Sequence, residues 1–377
     1  MKNILVAVNS FKETADAVEV SKLFNKHLDK SLFNVIQKPI SDGGDGFLKI
    51  CKFYFGLEIL NYQITTPYDE SFIDCKIGLD RDNKTLYIES AEVLGLKRIP
   101  ISKRHPLYLS SKGLGDLLKL ILQDIEEYKY EVNKLVIGIG GTGTMDLGLG
   151  MCSRFGLKIF DSYGSELEVL PENYPKVSKI EFNRNDLPFI IEVVLDVNNS
   201  LLGKDGGIIF GKQKGASNAE LKVIELGWGK IVNTIQNNML KNTAKELSGA
   251  GGGLSVGLNL LSETIKKHAL DFISDNLRVG INDTNFDIVI TGEGAFDEQS
   301  MKGKGAWIII SIFEKENIPV VLCCGKIDKQ VSENLSMNVF PIELVTYIDD
   351  PINNFEEAIK IACSEISGMT DILTKIY

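Results

Sequence analysis

The stretch from Lys134 to Gly150, K-L-V-I-G-I-G-G-T-G-T-M-D-L-G-L-G, constrains the fold more tightly than any other part of this chain. Leu135, Val136, Ile137 and Ile139 form a short apolar run of the kind that makes a strand buried on both faces, and glycines at 138, 140, 141, 143, 148 and 150 interrupt or follow it. That density is far above the background of about 7% glycine. Glycine tolerates positive φ and lets another backbone or a ligand approach closely. A strand running into such a turn, with hydroxyls at Thr142 and Thr144, suggests amide donors aimed at an anion, and phosphate is the natural candidate. A tight turn that only packs strand on helix explains one isolated cluster equally well. The stretch matches neither the dinucleotide pattern G-x-G-x-x-G nor the P-loop G-x-x-x-x-G-K-S/T.

Length and charge narrow the setting. At 377 residues the chain exceeds one typical core and suits two domains. With 44% hydrophobic and 24% charged residues it has the composition of a soluble globular protein, and a net charge of -10 argues against broad attraction to nucleic acid or anionic lipid. Any anion must be held by a local pocket. The apolar run at the N-terminus is only five residues long, too short for a secretory segment or a membrane span. The cysteines at 51, 75, 152, 323, 324 and 363 lack metal-ligand spacing and mostly sit in apolar contexts, which implies reduced thiols, a cytoplasmic location and no structural zinc. His27, His105 and His268 are scattered and give a histidine triad little support.

Both chain ends alternate strand and helix. Ile4 to Val8 reads as a buried strand leading through Asn9, Ser10, Phe11 and Lys12 to a helix carrying Ala17, Val20, Phe24 and Leu28 at helical spacing. In doubly wound sheets ligands gather beyond the carboxyl ends of strands, where Ser10 and Lys12 fall; by position alone Lys12 is equally a solvated loop lysine. A second strand leads into S-D-G-G-D-G at 41 to 46, which is either a plain turn or a carboxylate site for Mg²⁺ or a proton. From 57 to 90 several short extended runs indicate antiparallel pairing and a second domain. Glu89 in the last of these is either an edge residue or a pocket carboxylate. Asp196 closes another apolar run, and Lys212 and Lys214 follow in a loop where they either neutralise phosphate or are surface charge. A second glycine-dense turn spans 249 to 257, and a strand at 287 to 290 opens into T-G-E-G, with Asp297, Gln299, Ser300, Lys302 and Lys304 close behind. Alternation of strand and helix then resumes to the end.

Taken in order, these loops resemble the bacterial two-domain glycerate kinase family. They include S-F-K at 10 to 12, D-G-G-D-G at 42 to 46 and G-I-G-G-T-G-T-M-D-L-G at 138 to 148. F-G-K-Q-K-G-A at 210 to 216 and T-G-E-G-A-F-D-E-Q-S-M-K-G-K at 291 to 304 complete the set. The resemblance runs over nearly the whole chain. Met145 and Phe296 depart from it, standing where members carry groups able to bond or pair.

The resemblance implies an α/β fold in which a Rossmann/flavodoxin-like parallel-sheet domain is built from both chain ends, 1–65 plus 284–377. A second α/β domain with a mixed sheet, 66–283, is inserted between them. It implies transfer of the γ-phosphoryl of ATP to D-glycerate, with Mg²⁺, and favours 2-phosphoglycerate over 3-phosphoglycerate; a homo-oligomer is left open. The expected substrate-binding residues are Ser10, Lys12, Asp42, Glu89 and Glu293. The nucleotide would lie on Gly140, Gly141, Thr142, Gly143, Thr144, Asp146, Lys214, Gly252 and Gly253. Lys12, Asp42, Asp196 and Asp297 are the catalytic candidates, with Asp42 and Asp196 as metal ligands. Asp196 is the first choice of base, because a carboxyl ending a buried strand is desolvated. Separate domains would close on binding. A kinase for a related hydroxy acid and a nucleotide-binding homologue without turnover remain as alternatives. An NAD-linked dehydrogenase ranks below them for want of G-x-G-x-x-G after the first strand.

Overall fold

The computed structural model describes residues 1–370 apart from 13, 184–186, 196–198, 204–205, 239–247, 281–284 and 349. The chain forms two compact units, Met1–Tyr54 with His268–Tyr377, and Phe55–Lys267.

The unit built from the chain ends carries a five-stranded sheet in the order Val339–Glu343, Val320–Cys324, Ile288–Thr291, Lys2–Val6, Phe33–Gln37. Every pairing in it is parallel, with Ile4 opposite both Ile288 and Val35. Numbered within this unit the order is 2-1-3-4-5, the flavodoxin-like arrangement. Its topological switch point lies between the first and third strands, here Lys2–Val6 and Ile288–Thr291. Ile288–Thr291 and Val320–Cys324 are buried throughout and nearly all apolar because both of their faces are covered. Ile4, Val6, Val8, Ile290 and Val321 share a core with Phe24, Leu28, Ile359 and Cys363. The helix Ala17–His27 starts where the Asp16 side chain accepts the Glu19 N–H and buries Ala17, Val20 and Phe24, as its periodicity predicts.

In the other unit a six-stranded sheet runs Thr264–His268, Ile190–Leu195, Lys134–Ile139, Thr85–Glu89, Phe72–Asp80, Glu58–Thr65. Lys134–Ile139 pairs parallel with both neighbours, while Phe72–Asp80 pairs antiparallel with both of its own. This sheet is the mixed one. Its core joins Leu135, Ile137 and Ile139 to Leu114, Leu118 and Ile121 of the helix Lys112–Glu126, and to Trp228 and Leu254.

The division between units falls at 54/55 and 267/268, where the sequence suggested 65 and 284. The strand at 58–65 pairs over eight positions with 72–80, from Glu58 opposite Leu79 to Thr65 opposite Phe72. A strand cannot leave the sheet that satisfies its backbone, so it belongs to the mixed-sheet unit. Among the described residues no helix is long and apolar enough to cross a membrane.

Candidate active site

Each unit gathers its own set of the residues singled out from sequence. In the chain-end unit the set lies at the switch point. The loop after Lys2–Val6 is tied to the loop after Ile288–Thr291 by Asn9 N donating to Gly292 O at 2.9 Å and Thr291 Oγ1 donating to Ala7 O at 2.8 Å. A Cβ on Gly294 would come within 3.2 Å of Lys12 N, so glycine there permits the two loops to touch. Asp42 joins from the loop after Phe33–Gln37. Its Oδ2 accepts from Asn9 Nδ2 at 3.1 Å and Gly305 N at 3.2 Å, and its Oδ1 from Gly44 N at 3.2 Å. Ser10 is half-buried, and its Oγ donates to Asp45 O at 3.4 Å.

Glu293 is the most unusual member. It is 9% exposed, and its Oε1 is buried with no hydrogen-bond partner. Burial first, and then the neighbouring Asp42 charge, push its carboxyl up to about 7, against the opposing pull of Ser300, Lys304 and Lys12. Lys12 is exposed. Asp297, one of the catalytic candidates, is exposed and caps its own turn: Oδ1 accepts from Gln299 N and Ser300 N, both at 2.9 Å, and from Ser300 Oγ at 3.3 Å.

In the mixed-sheet unit the strand Lys134–Ile139 delivers the glycine loop, and the loop pairs with the segment after Glu89. Gly143 N donates to Leu94 O at 2.7 Å, Leu96 N to Gly141 O at 2.9 Å and Gly140 N to Ser90 Oγ at 3.3 Å. Two of the expected donors, Gly140 and Gly143, are therefore used within the fold. By contrast, no hydrogen bond among the described residues uses the N–H of Gly141, Thr142 or Thr144, and buried Thr144 Oγ1 has no partner. Lys214, 5% exposed, places Nζ 3.1 Å from Thr142 Oγ1 and 3.0 Å from Thr144 O. Amide donors, a hydroxyl and an ammonium thus meet at one loop, which is what an anion cradle requires.

Asp146, Gly252 and Gly253, expected at the nucleotide, each make close contacts within the fold. Asp146 is buried, and its Oδ2 accepts from Ser111 N and Oγ, both at 2.7 Å, and from Gly150 N at 3.1 Å, while Oδ1 accepts from Gly148 N at 3.2 Å. Burial raises its carboxyl pKa and these donors oppose the shift; the carboxylate braces the loop from within. Gly252 has φ 71°, and a Cβ there would sit 2.0 Å from Thr144 O; Gly253 lies similarly close to Leu147. Both shape the loop by close contact. Glu89 is buried at the end of Thr85–Glu89, paired with Gly138.

Asp196 lies outside the described residues. Among those described, no group of three or more His, Cys, Asp or Glu could hold a metal ion, and Asp42 already accepts three N–H donors. Of the two expected metal ligands, only Asp42 lies among the described residues. Met145 and Phe296, the departures from the family pattern, are fully buried core residues. Sequence alone assigned no role to Asn9, Ser90, Ser111 or Lys304. A polar residue next to a glycine loop was the available signal, but which backbone atom it reaches depends on the fold.

A flavodoxin-ordered unit with charged loops at its switch point, joined in one chain to a mixed-sheet unit whose glycine loop is backed by a buried lysine, defines an α/β protein of two units. The model of the glycerate kinase family matches residues 4–376, and the chain belongs to that family, which makes it a kinase. It is 31% identical to a glycerate kinase of Haemophilus influenzae, over 85% of each chain. It is 29% identical to the glycerate 2-kinase of Escherichia coli, over 96% of this chain and 94% of the relative. The crystal structure of a putative glycerate kinase 2 from Salmonella typhimurium matches it in fold with a TM-score of 0.75, at 24% identity over 100% of both chains.

Proposed function

We propose that the chain transfers the γ-phosphoryl group of ATP to a hydroxyl of D-glycerate, giving 2-phosphoglycerate in preference to 3-phosphoglycerate. The observation that carries the nucleotide half is the loop at Gly141–Thr144: three N–H groups without partners among the described residues, beside a buried lysine ammonium. Thr142 and Thr144 are buried, where donors left unpaired are costly, and a phosphate oxygen would satisfy them together with the exposed Gly141 N–H. Mg²⁺ would enter with ATP as the Mg·ATP substrate and would offset the charge of its phosphates. Lys214 keeps the cradle in shape and adds positive charge at it. The acceptor half rests on Ser10, Lys12, Asp42 and Glu293, with Lys12 and Lys304 suited to the carboxylate of a small acid. The preference for the 2-position is supported by the name of the Escherichia coli relative.

Met145 and Phe296 replace polar groups with side chains that pack in cores, and this supports an active enzyme over a homologue without turnover. The test is release of ADP from Mg·ATP with D-glycerate and with a panel of related hydroxy acids, the product being identified by ³¹P NMR. D-Glycerate should give the highest kcat/KM and 2-phosphoglycerate. Turnover at least tenfold better on another hydroxy acid would replace the acceptor, and binding of ATP with no turnover on any would remove the kinase reaction.

A further inference from the structure

We propose that Glu293 is the general base of the transfer, its carboxylate taking the proton of the acceptor hydroxyl as that oxygen bonds to the γ-phosphorus. This rests on the function proposed above, since it needs an alcohol acceptor and ATP. One oxygen–phosphorus bond forms. The bond from the γ-phosphorus to the oxygen bridging to the β-phosphate breaks, its electron pair leaves with ADP, and the acceptor's proton ends on Glu293.

The geometry separates Glu293 from the other acids of its loop cluster. A base needs an oxygen that the protein has not already engaged, within reach of the acceptor. Asp42 accepts three N–H donors, and Asp297 caps its own turn with one oxygen and is exposed to solvent, unlike Glu293. Glu293 keeps Oε1 without a partner although the residue is nine-tenths buried. It also stands just beyond the carboxyl end of Ile288–Thr291, one of the two strands flanking the switch point, where ligands of such sheets bind.

The groups around it come from every loop of the cluster: Lys12 after the first strand, Asp42 after the second, Ser300 and Lys304 downstream in its own segment, and the Cys324 thiol at the end of Val320–Cys324. The two lysines favour its ionised form; burial and Asp42 oppose them more strongly and bring the carboxyl to about 7. A base of that strength is about half ionised at neutral pH and still holds the proton it takes, a balance an ordinary exposed glutamate lacks. The expected base, Asp196, falls outside the described residues and becomes the comparator.

The experiment measures kcat and kcat/KM for D-glycerate and Mg·ATP against pH in the full-length wild type, Glu293→Gln and Asp196→Asn, with ATP binding measured alongside. Wild-type kcat/KM should fall on the acid side with a limb near pH 7. Glu293→Gln should lose that limb and at least about a hundredfold in kcat while binding ATP within about threefold of wild type. Glu293→Asp keeps a carboxyl and should recover part of the rate. A melting curve for Glu293→Gln at or above wild type at pH 8 separates lost chemistry from lost fold. The assignment is overturned if Glu293→Gln keeps kcat within about threefold, or loses rate but retains the wild-type acid limb, or if Asp196→Asn alone removes that limb. A wild type that binds ATP yet does not phosphorylate D-glycerate would overturn the acceptor instead, and the same comparison would be made on whichever hydroxy acid it does phosphorylate.

Discussion

At the scale of single residues, Glu293 links stability to pH. Its carboxyl holds a proton up to about 7 in the folded chain, whereas an ordinary glutamate releases it from about 4.3 upward. Between those values the unfolded state binds fewer protons than the folded one, so stability falls as pH rises through the window. The loss approaches about 4 kcal/mol at most, since each tenfold difference in proton affinity between the two states is worth about 1.36 kcal/mol. Glu293→Gln should flatten this slope and unfold at higher urea than wild type at pH 8, with little difference at pH 4. Equal slopes in the two proteins would show that the carboxyl ionises freely in the folded state. That Glu293 belongs to a functional loop was legible from T-G-E-G closing a buried strand. That its carboxyl is shielded, and Asp297's is exposed and capping, was not, because burial is decided by the loops that arrive from residues 9–12 and 42.

At the scale of elements, the glycine loop is held by a second glycine-dense segment more than a hundred residues away. Leu147 N donates to Gly252 O at 3.2 Å and Gly257 N to Leu147 O at 2.8 Å, contacts made possible by glycines that bring the two backbones together. Gly252→Ala would place a methyl 2.0 Å from Thr144 O at a left-handed φ, and should destabilise the protein by about 3 kcal/mol or more in urea titration while weakening ATP binding. Gly229→Ala, in the interior of the helix Asn218–Asn238 with nothing within 4 Å of the new Cβ, should instead stabilise by about 0.5–1 kcal/mol. If both behaved alike, the close approach at Gly252 would not matter energetically. The sequence showed two clusters of glycine and suggested that both touch nucleotide. Packing shows that the second supports the first through direct backbone contact.

At the scale of the whole molecule, the two units have separate cores: one links Ile4, Phe24, Ile290 and Ile359, the other Ile64, Leu135, Trp228 and Leu254. Because the second unit is one continuous stretch, residues 55–267 expressed alone should fold and show a cooperative thermal transition by circular dichroism; a non-cooperative melt would show that its core is incomplete. The chain-end unit has no such independence in sequence, since its strand Lys2–Val6 hydrogen-bonds to residues 288–290 of the central strand. What the sequence determined alone was whatever depends on local order: buried strands from apolar runs, helices from their period, family membership from motifs in series. Only the tertiary structure decided which glycines face open space and which face backbone, which carboxylates accept N–H donors, and which one keeps a buried oxygen unpaired. Those are properties of contacts between segments distant in the chain, and no local pattern encodes the distance at which two such segments come to rest.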